Sequence, residues 1–247
     1  MTLKIEEFFG YNQPFTAKQL YNFYLQNENE LNQGTFRWRI YNLKKRGKIS
    51  SISRGVYIIE ERIAFDYKIT PEIKKAFNLV HKMFPDEKVS IWSTEWLHSY
   101  MTHQPFNHLI ILEVDKDIIN LVFEEIRYKF KNIYLNFKSE KVSKYELDEN
   151  SIILKPIIKD SPIMKINKIY VPKIEKILVD LFFETDLLET YQGRERINIF
   201  EEIFNKYTIN ITTLYRYAKC RGIRKKIEKF LMQETKIDKK YLKEVKE

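Results

Sequence analysis

Cysteine is nearly absent from this chain: Cys220 is the single one, so no disulfide can form within it and oxidative folding has no part in its stability. Glycine is scarce too. Six glycines in 247 residues leave no Gly-rich loop of the kind whose backbone amides cradle phosphate, which argues against a nucleotide-binding fold. Long apolar runs are missing as well. Charges interrupt even residues 91–114 and 174–183 before the roughly 18 to 20 apolar residues needed to cross a bilayer accumulate. No basic-then-apolar leader opens the sequence, so we expect a cytoplasmic protein in a reducing compartment, with no membrane partner.

The most informative absence is one of charge. The net charge is +9, with a pI near 9.3, but it is unevenly spread. No acid falls between Glu30 and Glu60, and that window holds seven of the nine Lys and Arg residues of the first sixty. Residues 216–247 hold twelve bases against five acids, whereas residues 61–215 hold 22 against 24. A chain that is basic, neutral and basic in turn points to a polyanionic partner at its ends. What is abundant is apolar and aromatic: 44% of residues are hydrophobic, with 17 Phe and 16 Tyr, enough to build a packed core and to exclude a disordered chain. The length favours two domains, and the change of pattern near residue 60 divides them at 1–62 and 63–247.

Within the first unit, Thr16 and Gln19 form a capping box, and Phe15 and Leu20 occupy the flanking staple positions, so a helix starts at Ala17. Ala17, Leu20, Tyr21 and Tyr24 follow its apolar stripe. A second helix is predicted over residues 34–46, stopped by Gly47, with Phe36, Ile40 and Leu43 facing inward. At 100° per residue its outer face is centred on Trp38, Tyr41, Asn42 and Lys45, flanked by Arg37 and Lys44 on one side and by Thr35, Arg39 and Arg46 on the other. Two β-prone runs at 49–52 and 56–59, joined by Ser53-Arg54-Gly55, read as a hairpin with an arginine at its tip. Capped helix, turn, basic helix and basic hairpin together spell a winged helix-turn-helix that binds DNA, its second helix lying in the major groove. Arg37, Lys44, Lys45 and Arg54 are suited to phosphates, Thr35 and Asn42 to base edges, and Trp38 and Tyr41 to sugars or thymine methyls. Trp38 could instead pack against the hairpin or the second unit, and Arg39, nearest the buried stripe, could brace a carboxylate.

Beyond residue 60 helical and strand patterns alternate. Thr70-Pro71-Glu72 starts a helix running to about Phe84. Strands are predicted at 89–92, 109–114, 132–135 and 152–156, and helices near 94–100 and 116–130. From about residue 172 to 235 nearly everything reads as helix. The fold class expected is therefore α/β (α+β): an N-terminal winged helix-turn-helix, then a mixed α/β domain with a helical C-terminal cap. A short polar linker at 60–67 joins them.

Chemistry-bearing patterns in the larger unit are weak, and no catalytic residue, metal site or cofactor is expected. His98, His103 and His108 recur every five residues, which matches neither one helical face nor a zinc pattern. Glu113, Asp115 and Asp117 alternate at a strand end, as a divalent-metal site could, but acids there also suit the start of a helix. Glu175 is expected to pair with Lys176 or Lys173, and Cys220 has no base beside it. The basic tail offers Arg216, Lys219, Arg221, Arg224, Lys225 and Lys226 as a second nucleic-acid or partner contact.

Residues 15–57, ending in Ser53-Arg54-Gly55-Val56-Tyr57, resemble the N-terminal module of AbiEi-type antitoxins of type IV toxin–antitoxin systems. The segment from Tyr170-Val171-Pro172-Lys173-Ile174-Glu175-Lys176 to Leu181 is similar to the stretch in those proteins where a proline opens a helix after the second-domain sheet. Ile91-Trp92-Ser93-Thr94-Glu95-Trp96-Leu97 and Lys155-Pro156-Ile157-Ile158 lie between, so the resemblance covers nearly the whole chain. It implies a transcriptional autorepressor that binds inverted repeats in its own promoter. It also implies an antitoxin that counteracts a nucleotidyltransferase toxin, acting on it functionally rather than through a stable complex. Two alternatives stay open: a nuclease whose winged helix delivers a metal-dependent α/β domain built around Glu113, and an RNA- or tRNA-binding regulator using the basic C-terminal helices.

Overall fold

The computed structural model describes residues 5–11, 13–26, 28–59, 65–135 and 150–242. The chain begins with a short helix, α1 (Ile5–Phe9), which the sequence did not announce, followed by a two-residue strand, β1 (Phe15–Thr16), and α2 (Ala17–Leu25). The capping box at the start of α2 is present: Thr16 Oγ1 accepts the Gln19 amide at 3.2 Å and the Thr16 amide donates to Gln19 Oε1 at 2.7 Å. Next comes α3 (Gln33–Lys45), capped by Asn32, whose Oδ1 accepts the Gly34 amide at 2.7 Å. It ends where Gly47 turns left-handed at φ 66°, and the Lys48 and Gly47 amides then donate back to the Leu43 and Lys44 carbonyls at 2.9 and 3.0 Å. That pair of bonds satisfies the last turn, and glycine is favoured there because it has no Cβ to clash.

A hairpin of β2 (Ser50–Ser53) and β3 (Val56–Ile58) follows, bulged between Ser51 and Ser53. With β1 it makes an antiparallel sheet in the order β1-β3-β2. Ile5, Phe15, Leu20, Phe23, Leu31, Phe36, Ile49 and Ile59 close a small core beneath it. The opposite allegiance of Ile52, Val56 and Ile58 is the first surprise, because these belong to the core of the larger unit. The hairpin is therefore shared by both cores. The expected polar linker is also pinned where it is described. Phe65 is buried, Trp96 Nε1 donates to the Lys68 carbonyl at 2.8 Å, and the Ile174 amide donates to the Tyr67 hydroxyl at 3.1 Å; residues 60–64 lie outside the described set.

The larger unit is mixed α/β, as the pattern of elements predicts. Helix α4 (Pro71–Met83) starts at Thr70 with Pro71 in its first turn. After it come β4 (Val89–Ser93), a 3-10 segment (Thr94–Tyr100), β5 (Leu109–Val114), α5 (Ile119–Ile126), β6 (Ile133–Leu135) and β7 (Ser151–Pro156). The sheet order is β4-β5-β7-β6, with β4 antiparallel to β5 and the other pairs parallel. Strands β4 and β5 are buried along their whole length, as expected for a sheet covered on both faces. A hairpin missed by the sequence pattern, β8 (Ile163–Ile166) and β9 (Ile169–Pro172), turns through Asn167 and Lys168, both at positive φ (47° and 72°), the conformation that matches strand twist in a two-residue turn. The helical cap is α6 (Ile174–Phe183), α7 (Arg194–Lys206), α8 (Ile211–Cys220), α9 (Arg224–Gln233) and the short α10 (Lys239–Leu242). Among the described residues no helix is long and apolar enough to cross a membrane.

Candidate nucleic-acid interface

Helix α3 presents the face its periodicity predicts. Phe36 is buried and Ile40 and Leu43 are partly buried against the small core. Thr35, Arg37, Trp38, Tyr41, Lys44, Lys45 and Arg46 are exposed, and Asn42 is half-buried between them. Trp38 and Tyr41 keep 65% and 60% of their surface in solvent, which rules out packing of Trp38 against the hairpin or the larger unit. Arg39 is the exception on this helix. It grips Glu28 with both nitrogens, at 2.6 and 3.0 Å, and its guanidinium lies 4.7 Å over the Tyr24 ring. The Glu28 hydrogen bond holds the Arg39 pKa above its ordinary value, so Arg39 fixes the turn between α2 and α3. Arg37, Lys44 and Lys45 form no ion pair with any acid among the described residues. Lys44 and Lys45 occupy the last turn of α3, where cations suit the helix dipole.

Arg54 is exposed at the hairpin tip, beside Gly55 at φ 70°. The Gly55 carbonyl accepts the Ala17 amide at 2.7 Å, tying the hairpin to the start of α2. The hairpin is not a free-standing wing: β2 lies against α8, and Asn210 Nδ2 donates to the Ser51 carbonyl at 3.2 Å.

The second basic set divides. Arg216 and Lys219 on α8 and Lys225 and Lys226 on α9 are exposed. Arg221 is corrected to an internal role, and Arg224 is half-buried. Arg221 pairs with Glu184, approaches Asp180 at 3.5 Å and lies 3.8 Å over the Phe183 ring, and Arg224 sits 5.1 Å over Tyr215. With an acid and an aromatic face already inside the fold, Arg221 is not available to a phosphate. Cys220 is exposed.

Beneath α8 lies an ionic cluster that sequence reasoning missed. Lys176 of α6 is fully buried, and its Nζ donates to Glu113 Oε1 at 2.7 Å and to Asp180 Oδ2 at 2.5 Å. The Tyr217 hydroxyl donates to the other Asp180 oxygen at 2.9 Å. Glu184 receives both Arg221 and Lys155, and Lys155 stands in register beside Glu113 on the neighbouring strand. Burial pushes the Glu113 carboxyl up despite Lys176. Burial would do the same to Asp180, but Lys176 and Arg221 outweigh it and leave that carboxyl below its usual range. The lysine is raised because Asp180 and Glu113 outweigh the cost of its burial. One signal was available: Lys176 and Asp180 are four apart in an apolar run, but that spacing usually marks a surface pair.

Glu113 is thus committed to Lys176, and the alternating carboxylates separate. Asp115 Oδ1 accepts the Asp117 amide at 3.0 Å, and both residues line a cleft of about 470 Å³ with Lys88, Lys116, Lys159 and Asp160. Among the described residues no group of three or more His, Cys, Asp or Glu could hold a metal ion. The histidines take different partners: His98 the Tyr191 hydroxyl, His103 the Glu195 carboxylate and His108 the Asn150 amide oxygen. Glu175 pairs with neither Lys173 nor Lys176, and instead its buried carboxylate accepts the Asn210 amide at 2.8 Å.

A model for a family of unknown function, DUF6577, matches residues 35–237, most of the chain, and the protein belongs to that family. The match begins at Thr35 in the first turn of α3, so it takes in the exposed face of that helix, the hairpin and the larger unit. Among curated proteins none matches.

Proposed function

The protein is a member of a family whose function is unknown, and we propose that it is a DNA-binding transcriptional autorepressor and the antitoxin of a type IV toxin–antitoxin system. It would bind inverted repeats in its own promoter and counteract a nucleotidyltransferase toxin. The observation that carries the DNA-binding part is the outer face of α3. It holds Arg37, Lys44 and Lys45 without described acidic partners, two large aromatics in solvent, and Thr35 and Asn42 between them. A helix of that composition meets the needs of major-groove docking: cations for phosphates, an amide for adenine and rings for thymine methyls. The antitoxin part is supported by the AbiEi resemblance alone. The nuclease alternative loses its central carboxylate, because Glu113 is already bound to Lys176.

The test is a mobility-shift series across salt on a duplex spanning the region upstream of the gene, for wild type and the Arg37→Ala, Lys45→Ala double variant. Each phosphate contact contributes about 0.9 to the slope of log affinity against log salt, so the double variant is expected to bind more weakly to every sequence, with a slope shallower by about 2. Wild-type behaviour of the double variant would overturn the assignment of the face, and failure of wild type to bind duplex would overturn the function. Growth rescue on co-expression with a neighbouring nucleotidyltransferase tests the antitoxin part.

A further inference from the structure

The chain contains two long stretches without a single acid. One is residues 31–59, with seven Lys and Arg residues; the other is residues 203–227, also with seven. They are far apart in sequence, yet the fold brings them into contact. Strand β2, inside the first, lies against α8, inside the second, and Asn210 Nδ2 bonds the Ser51 carbonyl across the junction. Glu175, an acid at that seam, is 6% exposed and accepts the Asn210 amide, so it is hidden beneath the surface. Glu184, which accompanies α8 further along, is occupied by Arg221 and Lys155.

The cations of the second stretch sort by burial in a way that helix stability does not require. Lys206 pairs with Glu202 at 3.1 Å and Arg221 and Arg224 are drawn onto acid or aromatic partners, while Arg216, Lys219, Lys225 and Lys226 are left in solvent. None of these four is paired with an acid among the described residues. On α8, Arg216 and Lys219 are three apart and so share one face of a helix about 15 Å long. Like charges three or four apart are unfavourable in isolation, so leaving them uncompensated costs stability unless a partner supplies the anions.

We propose that the exposed face of α8 and the start of α9 is a second contact surface for duplex DNA, engaging the phosphates that flank the site read by α3. The proposal rests on the DNA-binding reading above and extends it. The protein grips DNA with both units at once, through a surface whose two halves meet at the Ser51–Asn210 seam. Because these cations meet only phosphate, the added contact is independent of base sequence, strengthens every site alike, and lengthens the footprint beyond what a winged helix covers.

Two labelled duplexes of the upstream region test this: one long, and one trimmed to the segment that the intact protein protects most strongly. Each is titrated across salt with wild type, with the Arg216→Ala, Lys219→Ala, Lys226→Ala triple variant, and with the Arg37→Ala, Lys45→Ala variant. A bulk tRNA probe is run alongside. All three C-terminal positions are exposed, so thermal unfolding of the triple variant should match wild type and serves as the folding control. On the long duplex the triple variant is expected to show a slope shallower by about 2 to 3 and an affinity at least tenfold lower, and to lose protection at the flanks. On the trimmed duplex it should match wild type.

An unchanged slope in the triple variant, beside a flattened slope in the α3 variant, overturns the second surface and leaves the winged-helix reading standing. If wild type binds neither duplex, the reading beneath it falls as well. If the triple variant loses tRNA binding while keeping wild-type binding to the long duplex, the surface belongs to RNA, and the proposal is overturned in favour of that partner.

Discussion

Helices α3 and α6 both carry ionised side chains, and the two treat them in opposite ways. On α6, Lys176 and Asp180 are sealed inside the protein, where Lys176 also holds Glu113 from the sheet and Arg221 approaches Asp180 as a second cation. On α3, Arg37, Lys44 and Lys45 stand in solvent and no described acid is brought to them. Where a fold supplies its own counter-charges, the ions are structural, because a buried charge left alone would cost several kcal/mol. Where it supplies none across a whole face, the charges are left to solvent and its ions, and under the proposed function to DNA phosphates. Arg39 marks the boundary within α3 itself, since among the described residues it alone on that helix has been given a carboxylate.

The largest expected effect would break the α6 side of this contrast. Lys176→Met leaves Glu113 and Asp180 buried without their cation, and by the usual cost of halving a buried pair it should destabilise by about 3 to 5 kcal/mol in urea or thermal unfolding. Adding Glu113→Gln and Asp180→Asn should recover part of that loss, because the triple variant no longer buries an unbalanced charge. If Lys176→Met alone unfolds like wild type, the cluster is not the structural unit described here.

The next prediction sharpens the contrast within one helix. Arg37→Ala should change unfolding by no more than about 0.5 kcal/mol, the usual range for an exposed surface position, while lowering the salt slope of DNA binding. Arg39→Ala should do the reverse. It loses a half-exposed ion pair worth about 0 to 1 kcal/mol together with its stacking on Tyr24, and its salt slope should stay at the wild-type value. Equal salt slopes for the two variants would erase the distinction between paired and unpaired cations on α3.

The smallest effect concerns protons. Burial, with His108 and Lys68 adding to it and Glu95 opposing, holds the His98 pKa below its ordinary value. A histidine depressed in the folded state stabilises the fold fully above its unfolded value, near 6.5, and that contribution is lost as pH falls through the lower folded value. Wild type should therefore lose stability as pH drops below about 6.5, and His98→Gln should lose less over the same interval. Parallel pH curves for the two proteins would show that His98 does not titrate as described.

Much of the winged helix was legible in the sequence because its signals are local. The Thr16–Gln19 box, the Gly47 stop and the Phe36–Ile40–Leu43 stripe each act within a turn or two of the residues they organise. The short strands β8 and β9 were not legible, since their turn uses Asn167 and Lys168 rather than the glycine that usually announces such a hairpin. Nor was the allegiance of the hairpin β2–β3 to two cores, because alternation tells that one face is apolar without telling what covers it.

By itself the sequence determined the capped helices, the alternation of strands and helices in the larger unit, and the two stretches from which acids are missing. Only the tertiary structure decided which charges are answered inside the protein. Glu113 meets Lys176 across 63 positions and Asn210 meets Ser51 across 159. Caps and periodicities depend on neighbours a few bonds away, whereas an ion's partner and its burial depend on how distant segments pack. Arg216 and Arg221 therefore read alike in the chain and differ in the fold.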